Sequence, residues 1–165
     1  LNYAWFPTDD LYVHAGVSVH HLNKPKESFF NSTPAYNNRL QPRYIAFMDA
    51  IMKLNDQWII SPGAYFSVQT RATEFSIGMH ANYNISGDGE QQLIGGLYYR
   101  GGDAFIPMIG YQWKQFRFTF SYDATMSSLR NYNNGYGATE FYLGYQGFYN
   151  EYSGDIRQSL CPNFR

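Results

Sequence analysis

Between residues 74 and 85 the chain alternates without a break: Phe75, Ile77, Met79, Ala81, Tyr83 and Ile85 are separated by Ser76, Gly78, His80, Asn82 and Asn84. A helix would spread those apolar residues round its whole circumference, whereas a strand gathers them on one face. The segment is about as long as a tilted strand that crosses a bilayer. The same period of two recurs in 11–20, where Leu11, Val13, Ala15, Val17 and Val19 oppose Tyr12, His14, Gly16, Ser18 and His20. In 116–123, Phe116, Phe118, Phe120 and Tyr122 oppose Arg117, Thr119, Ser121 and Asp123. Near the end, Phe141, Leu143, Tyr145 and Tyr149 oppose Glu140, Tyr142, Gly144 and Gln146. Less regular strands are expected at 43–54, 57–70, 91–100 and 104–113, with a short one at 2–6, which makes about eight or nine strands. Within 44–54, Ile45, Met48, Ile51, Met52 and Leu54 also fit a helical stripe, so that segment is ambiguous.

The junctions fall into two classes. Those at 7–10, 55–56, 86–90 and 114–115 are tight and carry turn-forming or strongly polar residues. They are every second junction. The others include the two longest, 21–42 and 125–137, rich in Asn, Ser, Pro and Gly, together with the shorter 70–73 and 101–103. Outer-membrane barrels alternate short periplasmic turns with longer outer loops in this way. The fold class expected is therefore an all-β, antiparallel, transmembrane outer-membrane β-barrel, with strands over 1–149 and a periplasmic tail over 150–165.

Composition agrees with that reading. Of 165 residues 19% are aromatic, 16 of them Tyr against 3 Trp, and only 15% are charged; mean hydropathy is −0.45. Strands that alternate lipid-facing and water-facing residues cancel in such an average. No run of about 18 apolar residues exists, so no transmembrane helix is expected. The opening Leu1-Asn2-Tyr3-Ala4-Trp5-Phe6 lacks the basic, apolar and small-residue regions of a secretory signal, so a mature, truncated or only partly recorded chain is expected. A net charge of −1 leaves no basic surplus for nucleic acid. Cys161 has no internal disulfide partner and reads as a lone thiol in the tail.

Candidate chemistry is sparse. In a strand the adjacent His20 and His21 point to opposite faces, His14 and His20 share a face about 20 Å apart, and His80 lies on another strand, so neither a metal nor a cofactor is expected. A barrel-embedded hydrolase could draw on Ser76, Ser121, Ser127 or Ser128 with His80 and Asn82, but no Gly-x-Ser-x-Gly elbow is present. Gly87-Asp88-Gly89 and Gly101-Gly102-Asp103 precede strands instead of helices, which removes the basis for phosphate binding. The charges Arg100, Arg117, Asp123 and Glu140 share the water-facing parity of their strands. They form a candidate cluster in the lumen that either grips a ligand or plug, or pairs internally and stiffens the wall. His21 and Tyr36 in one long loop, and Arg130, Tyr132 and Tyr136 in the other, are candidate partner contacts.

The order of short motifs resembles the PorP/SprF family of the type IX secretion and gliding machinery. The matching pieces are Gly16-Val17-Ser18-Val19-His20-His21-Leu22-Asn23-Lys24-Pro25, Gly96-Leu97-Tyr98-Tyr99-Arg100, Gly110-Tyr111-Gln112, Ser121-Tyr122-Asp123, Gly137-Ala138-Thr139-Glu140-Phe141 and the closing Cys161-Pro162-Asn163-Phe164. The resemblance implies a non-enzymatic barrel that helps export or anchor surface adhesins. Its implied partners are an adhesin or the adhesin's C-terminal domain, other secretion components and membrane lipid. It also implies an N-terminal half beyond this chain. The tail, with Cys161 and Phe164, is a candidate contact for a periplasmic protein. A channel for small solutes, with selectivity set by the lumen charges, is the reading from a different class.

Overall fold

The computed structural model describes residues 1–26, 39–128, 130–133 and 136–146. They form one antiparallel sheet of nine strands: β1 (Asn2–Thr8), β2 (Leu11–His20), β3 (Arg43–Lys53), β4 (Trp58–Gln69), β5 (Ala72–Asn84), β6 (Gln91–Arg100), β7 (Ala104–Trp113), β8 (Phe116–Thr125) and β9 (Ala138–Tyr145). Each strand pairs with its neighbours in sequence, so the sheet order is the chain order. The ambiguous segment at 44–54 is strand β3, hydrogen-bonded on both sides. The one helix among the described residues, α1 (Arg130–Asn133), is a single turn inside the second long loop. No helix there is long and apolar enough to cross a membrane.

Boundaries move by a residue or two. Strand β5 begins at Ala72, so the junction expected over 70–73 shrinks to Thr70-Arg71, and β8 runs on to Thr125. Two of the three two-residue hairpins of this sheet put their first loop residue at positive φ, Thr70 at 57° and Lys114 at 53°; at the third, Asp9-Asp10, the register of β1 shifts instead. A tight hairpin needs that geometry if its turn is to follow the twist of its strands. Ladder irregularities coincide with proline, which has no N–H to give. Pairing of β3 with β4 skips the rung at Pro62, that of β7 with β8 skips the rung at Pro107, and the register of β1 shifts across Pro7.

The two faces differ in kind. On one parity lie Ile77, Met79, Leu97, Ile109 and Phe118, all exposed; Ile109 is 58% accessible. On the other lie Asn82, Asn84, Gln92 and Asp123, all buried, with Asn84 at 2%. A flat single-layer sheet would expose both faces alike, so this sheet must curl over its polar side. Side chains on that side span the curve: Arg43 on β3 reaches Glu74 on β5, and Arg100 on β6 reaches Asp123 on β8, each at 3.1 Å. Polar inside and apolar outside is the inverse of a soluble fold and the arrangement of a membrane barrel. Strands β1 and β9 are the two edges and are not paired with each other.

Aromatic residues border the apolar outer band. Toward the short-turn end Trp58 packs on Tyr83 at 4.9 Å and Phe116 on Tyr145 at 5.1 Å; toward the long-loop end Tyr99 packs on Phe105 at 5.1 Å. Amphipathic rings favour such levels, where hydrocarbon gives way to headgroups. Two inward-facing glycines let large rings lie flat on the wall. A methyl at Gly16 would sit 2.6 Å from the Phe47 ring, and one at Gly78 would sit 2.5 Å from the Leu97 carbonyl and against the Tyr98 ring.

At the short-turn end, Asn84 ties two turns together. Its side-chain oxygen accepts from the N–H groups of Gly87 and Gly89, at 3.1 Å each, and its amide donates to the Asp56 carbonyl at 3.2 Å. In the same turn the Ser86 hydroxyl, and then the Glu90 N–H, hold the Asp88 carboxyl below the ordinary aspartate range. That support is present at neutral pH and is lost as acid protonates the group.

Two outcomes test this architecture. Ile109→Arg should cost about 2 to 4 kcal/mol, the penalty of a charge on the lipid face, whereas Met108→Arg, one residue away on the inner face, should cost far less; denaturant titration of folded protein in lipid reads both. Gly78→Ala should destabilise by about 1 to 3 kcal/mol because a backbone carbonyl cannot move aside as a side chain can. A lowered midpoint for the loss of heat-modifiable migration on gels would report it.

Candidate functional site

The water-facing wall is laid out by register. From the short-turn end to the long-loop end, its inner face carries Gln92, Gln112 and Arg117, then Asn82, then His80 and Tyr98, and finally Arg43, Glu74, Arg100 and Asp123. Several polar groups pair on this curved surface. His14 Nδ1 meets Asp49 at 3.1 Å, His80 Nδ1 meets the Tyr98 hydroxyl at 2.8 Å, and the Asn82 amide donates to Gln92 Oε1 at 2.9 Å. The Asn82 oxygen is the one buried side-chain atom among the described residues with no partner.

The four charges expected to cluster do not form one group. Arg100 and Asp123 meet at 3.1 Å, and Asp103 joins them, bonded to the other Arg100 nitrogen at 3.2 Å. Arg117 lies on the same inner parity but six residues down β8 from Asp123, about 20 Å at strand rise. It donates twice to Gln112 Oε1, at 3.1 and 2.9 Å. Glu140 stands opposite Ser121 on β9 and is exposed. The structure thus joins Arg100 to Asp123 and leaves Arg117 and Glu140 apart from them, and the sequence reading did not name Asp103, Arg43 or Glu74. Arg43 donates at 3.0 Å to both Tyr65 and Ser67 and at 3.1 Å to Glu74. The signal for that group was available: all four residues share the inner parity of three successive strands.

The Arg100 group also anchors the second long loop. The Asp103 carbonyl accepts from the N–H of Met126 at 2.6 Å and of Ser127 at 3.1 Å. On the other side of the loop the Gly137 N–H donates to the Tyr122 hydroxyl at 3.0 Å. Above that base Arg130 is exposed, and Tyr132 and Tyr136 are 87% and 74% accessible. His21 is exposed at the foot of the first long loop. Tyr36, Cys161 and Phe164 lie outside the described residues.

The opposite-face expectation for His20 and His21 does not hold. His21 sits just past β2 with φ of 57°, so strand alternation no longer governs it, and the two rings come to 6.3 Å. Among the described residues no group of three or more metal-ligating side chains is gathered. Ser18 meets His20 at 3.3 Å, while His80, the histidine weighed for hydrolysis, is bonded to Tyr98.

Arg100→Ala should free the base of the second loop. Exposed ion pairs contribute little, about 1 kcal/mol, so opening at the Met126 and Ser127 amides should rise roughly fivefold. Hydrogen exchange at those two amides, with the β4–β5 ladder unchanged, is the measurement.

Neither a curated protein nor a solved structure matches the chain. The profile of the family described as type IX secretion system membrane protein PorP/SprF matches residues 4–145, from β1 to the last residue of β9. With most of the chain covered, and with a curled sheet whose apolar side faces out, the chain belongs to the PorP/SprF family of type IX secretion system membrane proteins.

Proposed function

We infer that the protein is a non-enzymatic β-barrel of the outer membrane that supports export or surface anchoring of adhesins. The observation that carries this reading is the second long loop, whose base is pinned by Asp103 and Tyr122 while Arg130, Tyr132 and Tyr136 stand exposed above it. Tyrosine and arginine are enriched where proteins bind one another, since each offers a large contact and a hydrogen bond. A base held in advance lowers the ordering cost of that contact. In this orientation the short turns face the periplasm, where other secretion components reach the barrel, and the tail over 150–165 is a contact for a periplasmic protein. The lumen charges act structurally: Arg100 with Asp103 and Asp123 stiffens the loop-side rim.

A small-solute channel is the second reading. It is favoured by the polar inner wall, where Arg117 is held by Gln112 and Arg100 by Asp103 and Asp123.

Deleting 126–136 from the full-length protein should abolish adhesin display on cells while the barrel still inserts, as read by heat-modifiable migration. Normal display by an inserted barrel would reject the loop as the contact. Planar-bilayer recording discriminates the second reading, for which a steady open pore should change its ion preference on Arg117→Ala.

A further inference from the structure

Aromatic side chains on the inner wall of β1 to β3 touch one another in a row. Phe6 packs on Tyr12 at 4.8 Å, Tyr12 stacks on His14 at 6.2 Å with 16° between the ring planes, and His14 packs on Phe47 at 5.0 Å. Tyr65 on β4 stands directly across from Phe47 and continues the row. Arg43 then carries it to the rim, donating to the Tyr65 hydroxyl at 3.0 Å and to Glu74 at 3.1 Å. The row begins beside the β1–β2 turn, and from Tyr12 to the level of Arg43, which pairs with His20, is about 26 Å at strand rise.

All five rings are half-buried, so each keeps part of its surface open to the inner side. Hydrogen-bonding groups accompany them at the same levels. The space that a methyl at Gly16 would take is shared by the Phe47 ring and the Asn2 side-chain oxygen. Asp49 meets His14 at 3.1 Å and still has 45% of its side chain accessible. Ser67 and Glu74 stand with Arg43 at the upper end.

We propose that this row is a binding track for a linear, uncharged oligosaccharide lying along the inner wall. Each sugar unit has an apolar face of C–H groups, which suits the negative face of an aromatic ring. Its hydroxyls both donate and accept, and the track answers them with acceptors at Asn2 and Asp49 and a donor at Arg43. A fatty acyl chain would strip water from Asp49 and Arg43 and return no hydrogen bond. A small ion would leave the rings unused. An extended polypeptide sets its same-face side chains about 6.7 Å apart, each needing a recess of its own, whereas rings 4.8 to 6.2 Å apart make a continuous surface. Asp49 disfavours an anionic chain, and Arg43 with Glu74 is neutral as a pair. The proposal goes beyond the export reading and rests on the barrel alone, with the inner face as its lumen.

The test uses the full-length protein in lauryldimethylamine oxide, a detergent without a sugar headgroup, titrated calorimetrically with maltohexaose, cellohexaose and chitohexaose. At least one should bind, and Tyr12→Ala/Phe47→Ala should weaken it by roughly thirtyfold, about fivefold for each ring removed. Asp49→Asn keeps the shape of the side chain and should cost about fivefold through its weaker acceptor. Tyr98→Ala, on β6 of the same face, is the control and should change little. Failure of all three sugars to bind, undiminished binding by the double variant and by Asp49→Asn, or tighter binding of an extended Ser-Val repeat peptide of equal length overturns the proposal. Heat-modifiable migration shows that each variant is folded and reads the barrel by itself, so a failed barrel is told apart from a track that does not bind.

Discussion

Everything in this sheet follows from the fate of the backbone N–H and C=O groups. In hydrocarbon there is no water to satisfy them, so each must bond within the protein, and a strand can do so only if it is flanked. Once neighbouring strands supply those bonds, side chains are left free to divide by parity. That division is what places Ile109 outward and Met108 inward, one residue apart on the same strand. The prolines show how little slack remains: at Pro62 and Pro107 the ladder skips a rung on the side where an N–H is lacking and keeps its register on the other side.

The strands were legible in the sequence because the environment changes sign at every residue, and few other folds impose that rhythm. Where the rhythm fades, so did the reading. Ala72 and Thr73 are small or polar and give no contrast between faces, which is why the start of β5 was placed two residues late. The helical stripe within 44–54 could not be dismissed from composition, since Ile, Met and Leu suit either state; pairing on both sides decided it. The final strand was expected to include Tyr149, which lies outside the described residues.

The polar wall was only half legible. Parity assigns a side chain to the water-facing side, but it does not say how far along a neighbouring strand its partner stands. Arg117 and Asp123 share a strand and a face and never meet, whereas Arg43 and Glu74 sit on different strands and touch over a third. That second kind of contact depends on the curl of the sheet, a property of many residues jointly. His21 failed for the opposite reason: a single left-handed residue ended the regularity on which the expectation relied.

Because the sheet order repeats the chain order, none of the nine described strands waits long for its next neighbour in this sheet. The wall can be laid down hairpin by hairpin, each new strand docking on the last, and contacts local in sequence form quickly. Asn84 adds a check to such growth: its side chain can join Asp56 to the glycines of the following turn only after two successive hairpins have settled in the same register. A slip by one residue would turn that amide toward lipid, so the error would be costly before the next strand arrived.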